Sequence, residues 1–439
     1  MLKLSIAYIP INDLSPAPRN ARRHTKKQLR KLGKIIREFD FVVPILIDCH
    51  GRVIAGHGRI EAARQIGHTK VPAIYIEHLT PSQIEALALA ENRISDEASW
   101  SPETLTMIMR DLSLDVDFDL TLTAFDTAEI DLSLLGTDGL ETDESESFAE
   151  PPSRNKPAIS RIGDVWAIGT HLIACGDALQ AEPYVAVLGT EKANLTITDP
   201  PFNVPINGHV SGTGRHAEFP MASGEMSPEE FTKYLNSACL RMVEHCEDGS
   251  IHFLFMDFRH MRELLAAAQD VYSGLINLCV WVKNNAGMGS LYRGQHELVF
   301  VFKAGTAPHI NNVQLGKYGR NRTNVWQYAG ANSFGRDRDA MLERHPTSKP
   351  INLIADAIMD CSHRGGVVLD PFLGSGTTLL AAERTGRRGR GIELDPWYVD
   401  MSVQRLAALT GSAAIHVASG LTFEELADAR RSALSEDDQ

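Results

Sequence analysis

The stretch GGVVLDPFLGSGTTLLAAERTGRRGRGIELDP, residues 365–396, constrains the fold more than any other part of the chain. An apolar strand runs to Asp370, a glycine-rich turn follows, a helix spans TTLLAAERTG, and a second strand ends at Glu393. Strand, turn, helix and strand in that order make a βαβ unit, which commits two strands to run parallel in one sheet. From about residue 158 the same alternation continues, so an α/β domain with a mainly parallel sheet is expected. Gly374 and Gly376, on either side of Ser375, let the backbone approach a ligand closely, and the helix behind them offers free N–H groups. Glu393, 19 residues after Gly374, is placed to accept hydrogen bonds from ribose hydroxyls. No lysine follows the glycines as a P-loop requires. The turn is not GxGxxG either, which speaks against a nicotinamide oxidoreductase.

A second strand end carries chemistry. In LTITDPPFNVP, residues 195–205, an apolar run meets an acid, two prolines and an aromatic ring. Proline lacks the N–H that sheet pairing needs and fixes φ, so Pro200 and Pro201 end the strand in a stiff turn. Asp199 and Phe202 are held at that end, where open α/β sheets bind ligands. Read alone, the tetrapeptide is equally a structural turn with a core phenylalanine.

Composition excludes several classes. The chain is 43% apolar and 23% charged, with no apolar run of the length a membrane span needs. Its start, MLKLSIAYIPINDLSPAP, is broken early by prolines and lacks a charged-then-apolar signal pattern, so a cytoplasmic location is expected. The six cysteines are scattered without a CxxC pair, which predicts reduced thiols and no metal site. The net charge of −13 hides an uneven distribution. Residues 1–95 carry +7 and residues 96–150 carry −15, while of the remaining −5 the last twenty residues hold −4. The acid is thus concentrated in a connecting segment and a tail, leaving the other parts basic or near neutral and compatible with nucleic acid.

Five segments are expected. Residues 1–95 alternate strands and helices, among them KKQLRKLGKIIREF with a basic outer face and a helix opening at Thr80, Pro81 and Gln83. Residues 96–135 read as a small helical extension, and the acidic, Ser/Pro-rich stretch 136–157 as a flexible linker. Residues 158–412 form the α/β domain, and 413–439 a C-terminal tail.

DPPF and DPFLGSGTT together resemble the amino-methyltransferases of DNA, which methylate adenine N6 or cytosine N4 with S-adenosylmethionine. The catalytic tetrapeptide precedes the cofactor turn by roughly 170 residues, the permuted order of the β-class enzymes. The resemblance spans about residues 158–408 and includes GDVWAIGTHLIACGDA, WVKNNAGMGSLYRGQHELVFVFK and HPTSKP. It implies a Rossmann-like S-adenosylmethionine-dependent methyltransferase domain with double-stranded DNA as partner, in a class where self-association and pairing with a restriction enzyme are common. By the same resemblance, Asp199 and the Pro200 carbonyl accept the two N–H bonds of an exocyclic amine and direct its lone pair at the methyl sulfonium. Phe202 stacks on the base, which must be flipped out of the duplex. The cofactor contacts carry over to Asp370, Phe372, Gly374, Ser375, Gly376, Thr377 and Thr378, with Glu393 on the ribose and Asp177 near the adenine. Lys349 and Pro350 would flank the methionine end. Asp395 reads either as a cofactor residue or as a helix cap. Asp rather than Ser at 199 favours adenine; cytosine N4 is the alternative. No Pro-Cys pair exists for cytosine-C5 chemistry.

DNA reading is expected from residues 311–344 and from the loop after Phe202, with Lys283, Arg293, Arg320, Arg322 and Arg336 as candidate contacts. His209 and His216 in that loop have no metal-like partners. Residues 5–95 resemble the small α+β ParB/sulfiredoxin-like domain of partition proteins, carried by the turn Gly56, His57, Gly58, Arg59 ahead of a helix, which suits a phosphate group with help from Arg22 and Arg23. The cysteine of sulfiredoxin chemistry is absent from this turn, and His57 and Gly58 stand where the partition proteins carry an acid and a second arginine. DNA or phosphate binding, dimerisation and catalysis all remain open for this domain. A rival reading of the whole chain is a ParB-like DNA-binding protein or nuclease with an inactive methyltransferase half.

Overall fold

The computed structural model describes residues 4–19, 22–115, 118–135, 157–203, 224–284, 286, 291–314, 320–329 and 349–437. The linker expected at 136–157 lies outside them except for its last residue, as do His209, His216 and Arg336. The chain divides into two units, Met1–Gly136 and Thr137–Gln439.

The first unit runs β1 (Ile6–Pro10), α1 (Lys26–Phe39), β2 (Ile45–Ile47), β3 (Val53–Ala55), α2 (His57–Gln65), β4 (Lys70–Tyr75), α3 (Pro81–Glu97), α4 (Pro102–Ser113) and α5 (Thr127–Leu135). Its strands form a sheet in the order β1-β4-β2-β3, with β2 parallel to β4 and the other two pairs antiparallel. Helix α1 opens where the Thr25 hydroxyl accepts the Gln28 N–H at 3.1 Å. Its Ile36 packs with Ile45, Ile47, Val53, Ile60 and Val71 in one core. At α3, Thr80 and Gln83 form a reciprocal capping box, each accepting the other's backbone N–H. The helices after residue 96 belong to the same unit, because Asp126 takes ion pairs from Lys27 at 2.6 Å and Lys31 at 2.8 Å.

The second unit contains β5 (Val165–Ile168), β6 (His171–Cys175), α6 (Glu182–Leu188), β7 (Ala193–Thr198), α7 (Pro228–Glu244), β8 (Cys246–Met256), α8 (Met261–Ala268), β9 (Gly274–Val282), β10 (His296–Lys303) and β11 (Val325–Gln327). It continues with α9 (Ile351–Cys361), β12 (Val367–Asp370), α10 (Thr377–Arg384), β13 (Arg388–Glu393), α11 (Pro396–Thr410), β14 (Ile415–His416) and α12 (Phe423–Asp437). The strands form a ten-stranded sheet in the order β11-β9-β10-β8-β7-β12-β13-β6-β5-β14. Its middle, β8-β7-β12-β13-β6, is parallel throughout. Helices bury both faces of such strands, which is why VVLD is enclosed along its whole length. Alternate residues of β8 serve two cores: Ile251, Phe253 and Phe255 join one, Leu254 and Met256 the other.

Residues 413–437 are not a tail apart from the domain. Strand β14 pairs with β5, and Phe423, Leu426 and Ala427 of α12 are buried in the main core. The apolar spacing of a short amphipathic helix was overshadowed in the sequence by its acidic charge. Asp164 locks this end: it pairs with Arg430 at 2.9 Å and His416 at 3.2 Å. Burial works to raise the Asp164 pKa, but the bonds from Arg430 and the Arg161 N–H outweigh it and hold the carboxyl below its usual range. A depressed carboxylate stabilises the fold above its unfolded pKa and loses that contribution as pH falls. Arg430→Ala should therefore lower urea-unfolding stability by about 2 kcal/mol at neutral pH, the deficit shrinking below about pH 4.

Candidate active site

Strands β7 and β12 are parallel neighbours, Leu195 opposite Val368 and Thr196 opposite Leu369. Two motifs distant in sequence therefore end side by side. Strands β13 and β6 follow in the sheet with Glu393 opposite Cys175, and the Gly176 N–H donates to the Glu393 carbonyl at 2.8 Å. The carboxyl ends of four adjacent strands thus deliver Asp199, Asp370, Glu393 and Asp177 to one edge of the sheet.

The glycine-rich turn can be built only from glycine at its critical position. Gly376 has φ +86°, and a Cβ there would lie 2.9 Å from the Ser402 hydroxyl. Ser402 donates to the Gly374 carbonyl at 2.8 Å, and the Arg405 guanidinium donates to the Ser375 carbonyl. Glu393 closes the turn: its Oε2 accepts the Gly374 N–H at 2.7 Å and its Oε1 the Asp395 N–H at 2.8 Å. Each oxygen keeps a lone pair for a ribose hydroxyl. Burial pushes the Glu393 pKa up to about 7, with the two N–H bonds opposing. Ser375, Thr377 and Thr378 are buried, Phe372 packs near Tyr234 with ring centroids 6.3 Å apart, and Asp177 accepts the Leu179 N–H at 2.9 Å. Asp395 caps α11 through the Trp397 N–H at 2.9 Å, the simpler of its two readings. A glycine cradle backed by a carboxylate with spare acceptor capacity fits S-adenosylmethionine.

Two of the expected cofactor contacts also have partners within the protein. Asp370 is enclosed and its oxygens accept from protein: Oδ1 from the Thr198 hydroxyl at 2.6 Å and the Phe372 N–H at 3.1 Å, Oδ2 from the Thr378 hydroxyl at 2.6 Å. It braces the cofactor turn against the end of β7, and burial raises its pKa to about 6. Lys349 bonds Asp199 Oδ2 and lies 3.2 Å from Glu297, so its charge meets two carboxylates. Pro350 stands at the N-cap of α9.

At the tetrapeptide, burial raises the Asp199 pKa, Lys349 pulls it down and Glu297 pushes it up, with a net upward direction. Asp199 Oδ1 is enclosed and accepts no hydrogen bond among the described residues. Such an oxygen is unfavourable by about 1–3 kcal/mol until a donor arrives. Phe202 packs against both of the cores that β8 serves. Sequence reasoning missed Thr198, Asn203 and Glu297. Asn203, at φ +52°, accepts from the N–H groups of Gly224 and Met226 and donates to the Met226 carbonyl at 2.8 Å. The only local signal was its place directly after DPPF.

The expected DNA contacts separate sharply. Arg320 and Arg322 are occupied by helix α9: Arg320 Nη2 meets Asp360 at 2.5 Å and Asp356 at 3.3 Å, Arg322 meets Asp356 at 3.0 Å and Asp360 at 3.1 Å. Arg322 also donates to the Tyr328 hydroxyl at 2.7 Å. They anchor the segment before β11 and are not free for phosphate. Lys283 is likewise engaged, 2.5 Å from Glu297 and over the Trp281 ring. Arg293 is exposed. In the first unit, Gly56 takes φ +101° ahead of α2, and His57 Nε2 accepts the Ala17 N–H at 3.4 Å. The His24 ring lies where a Gly58 side chain would stand. Arg22 pairs with Asp96 at 3.1 Å and so does not join the turn. Arg59 donates to the Pro44 carbonyl at 3.4 Å, while its Nε is enclosed without an acceptor among the described residues.

Comparison with known proteins gives these units their class. The DNA methylase family matches residues 193–404, the ParB N-terminal domain residues 3–93, and the ParB-methyltransferase HTH domain residues 103–162. The chain is similar to Type II methyltransferase M.ScaI of Streptomyces caespitosus, 43% identical over 96 residues, which are 22% of this chain and 32% of that protein. The chain thus spans about a third of that relative's length. It is also similar to the ParB-like nuclease domain-containing protein YnaK of Escherichia coli K12, 43% identical over 81 residues, 18% of this chain and 93% of YnaK. Among solved structures, the M1.HpyAVI complex with S-adenosylmethionine is 21% identical with a TM-score of 0.41, covering 53% of this chain and 98% of that one. Residues 193–404 thus match the N6/N4 DNA methylase family over just under half of the chain, and residues 3–93 match the ParB N-terminal family. What the sequence suggested only as a helical extension coincides in part with the HTH match. Among the described residues no helix is long and apolar enough to cross a membrane.

The arginines give a direct test. Arg322→Ala should lower unfolding stability by about 2–4 kcal/mol, since it takes one of two guanidinium partners from Asp356 and from the buried Asp360. Arg293→Ala should leave stability within about 0.5 kcal/mol and reduce the slope of log DNA affinity against log salt by about one. Urea unfolding and salt-dependent filter binding check both.

Proposed function

We propose that this chain transfers the methyl group of S-adenosylmethionine to the exocyclic N6 of an adenine flipped out of double-stranded DNA. The observation that carries the reading is the pairing of β7 with β12, which sets an acidic acceptor turn beside a glycine-rich turn fit for the cofactor. S-adenosylmethionine, when bound, supplies a methyl group activated by a positive sulfur.

The chain's own residues answer the difficulty on the acceptor side. An exocyclic amine is a weak nucleophile because its lone pair is conjugated with the ring. Asp199 Oδ1, enclosed and without a donor among the described residues, accepts one N–H. The Pro200 carbonyl, held by two successive prolines, accepts the other, and the lone pair then points out of the ring plane toward the methyl group. Phe202 offers its face to the base. The aspartate at 199 supports adenine over cytosine N4, whose enzymes tend to carry serine there. Of the first unit we propose an accessory role in DNA or phosphate binding, supported by Arg59 behind the Gly56 turn.

Labelled S-adenosylmethionine and unmethylated DNA, followed by nucleoside analysis, test this. N6-methyladenine is expected from the native chain, with Asp199→Ala slowed by about 100-fold or more. N4-methylcytosine would overturn the base assignment, and no methylated base at all would overturn the reading.

A further inference from the structure

Lys349 sits where four segments of the second unit meet. Its ammonium bonds Asp199 Oδ2 at the end of β7 and lies 3.2 Å from Glu297 on β10. Glu297 in turn takes Lys283, directly after β9, at 2.5 Å. Only 6% of the Lys349 side chain is exposed, and its ammonium lies 5.8 Å from the Phe202 ring centre and 5.0 Å from that of Phe255. The charges alternate along Lys283, Glu297, Lys349 and Asp199, and only the last belongs to the tetrapeptide. Asp199 also faces Asp370 at the end of β12 and, on top of burial, pushes the Asp370 pKa up.

We propose that Lys349, held by Glu297, is a positioning residue for the methyl acceptor: it keeps Asp199 ionised and engages only Oδ2, leaving Oδ1 to take the amine N–H. The proposal rests on the amine-methylation reading above. Its argument is geometric. A carboxyl group enclosed at this point without a cation takes up a proton, and a protonated acid offers the amine a donor where an acceptor is needed. An ammonium free to move could also straddle both oxygens of Asp199 and block the acceptor. Glu297 prevents this by drawing the ammonium to one side, and Lys283 keeps Glu297 itself charged: burial works to raise the Glu297 pKa, but the two lysines outweigh it and lower it. The network therefore divides the two oxygens of Asp199 between structure and substrate.

The test uses the full chain with Lys349→Met, Lys349→Arg, Glu297→Gln and the pair Asp199→Asn/Lys349→Met. Affinity for labelled S-adenosylmethionine is measured by equilibrium dialysis, and single-turnover methyl transfer at saturating cofactor is followed across pH. Lys349→Met is expected to bind cofactor within about threefold of the native chain and to transfer methyl about 100-fold more slowly at neutral pH, the scale of losing one preorganised charge. Its acid limb should move to higher pH, because Asp199 without its cation protonates more readily. Lys349→Arg should recover about tenfold of the loss, and Glu297→Gln should slow transfer without weakening cofactor binding. Cofactor affinity lowered about tenfold or more, with the saturated rate kept, would overturn the proposal in favour of a cofactor ligand. An unchanged rate and acid limb would overturn it too. Thermal unfolding of the same variants needs no substrate. The deficit of Lys349→Met should be larger at about pH 8 than at about pH 5.5, and the double variant should remove that dependence. If the native chain methylates no DNA, the functional reading fails, and this cycle still decides whether Lys349 holds Asp199 charged: coupling supports it, and independence of the two sites overturns it.

Discussion

The pairing of β7 with β12 is the contact on which the site depends. Parallel strands must be joined by crossovers, so two neighbours in such a sheet can lie far apart in sequence. Here the neighbours are Leu195–Val368 and Thr196–Leu369, and each strand ends in its own proline-containing turn. Asp370 reinforces the junction by taking the hydroxyls of Thr198 and Thr378 on its two oxygens. An enclosed acid satisfied in this way ties the acceptor turn to the cofactor turn more tightly than backbone pairing alone, since losing either hydroxyl would leave a buried oxygen short of a donor.

Electrostatics on this sheet edge is arranged by burial and resolved by pairing. Desolvation raises Asp199, Asp370 and Glu393 alike, yet the three are balanced differently. Asp370 is satisfied by neutral hydroxyls and one N–H, Glu393 by two backbone N–H groups, and Asp199 by a lysine that it shares with Glu297. The difference suits the roles proposed above: a brace at Asp370, ribose hydroxyls at Glu393 and a charged acceptor at Asp199.

The arginines of the segment before β11 show where composition misleads. Arg320 and Arg322 stand among asparagines and aromatics, a composition suited to base contacts, but Asp356 and Asp360 occupy one face of α9 a turn apart and bind both guanidinium groups. A sequence displays the arginines and the acids separately and gives no sign that they meet. The C-terminal residues are the converse case. Their negative charge suggested a separate tail, while Phe423, Leu426 and Ala427 carry the helix into the core.

The sequence by itself determined the βαβ unit at residues 365–396, the proline-stiffened end of β7, the cap at Thr80, and the glycines at 374 and 376. These follow from local rules: periodicity, the missing N–H of proline, and the φ values open only to glycine. Tertiary structure alone decided that Lys349 meets Asp199, that Glu297 stands behind it, and that Asp370 joins the hydroxyls of Thr198 and Thr378. Those outcomes depend on which strand lies beside which, and on which charges share an interior where an unpaired one is costly. Both are properties of long-range packing that no local pattern encodes.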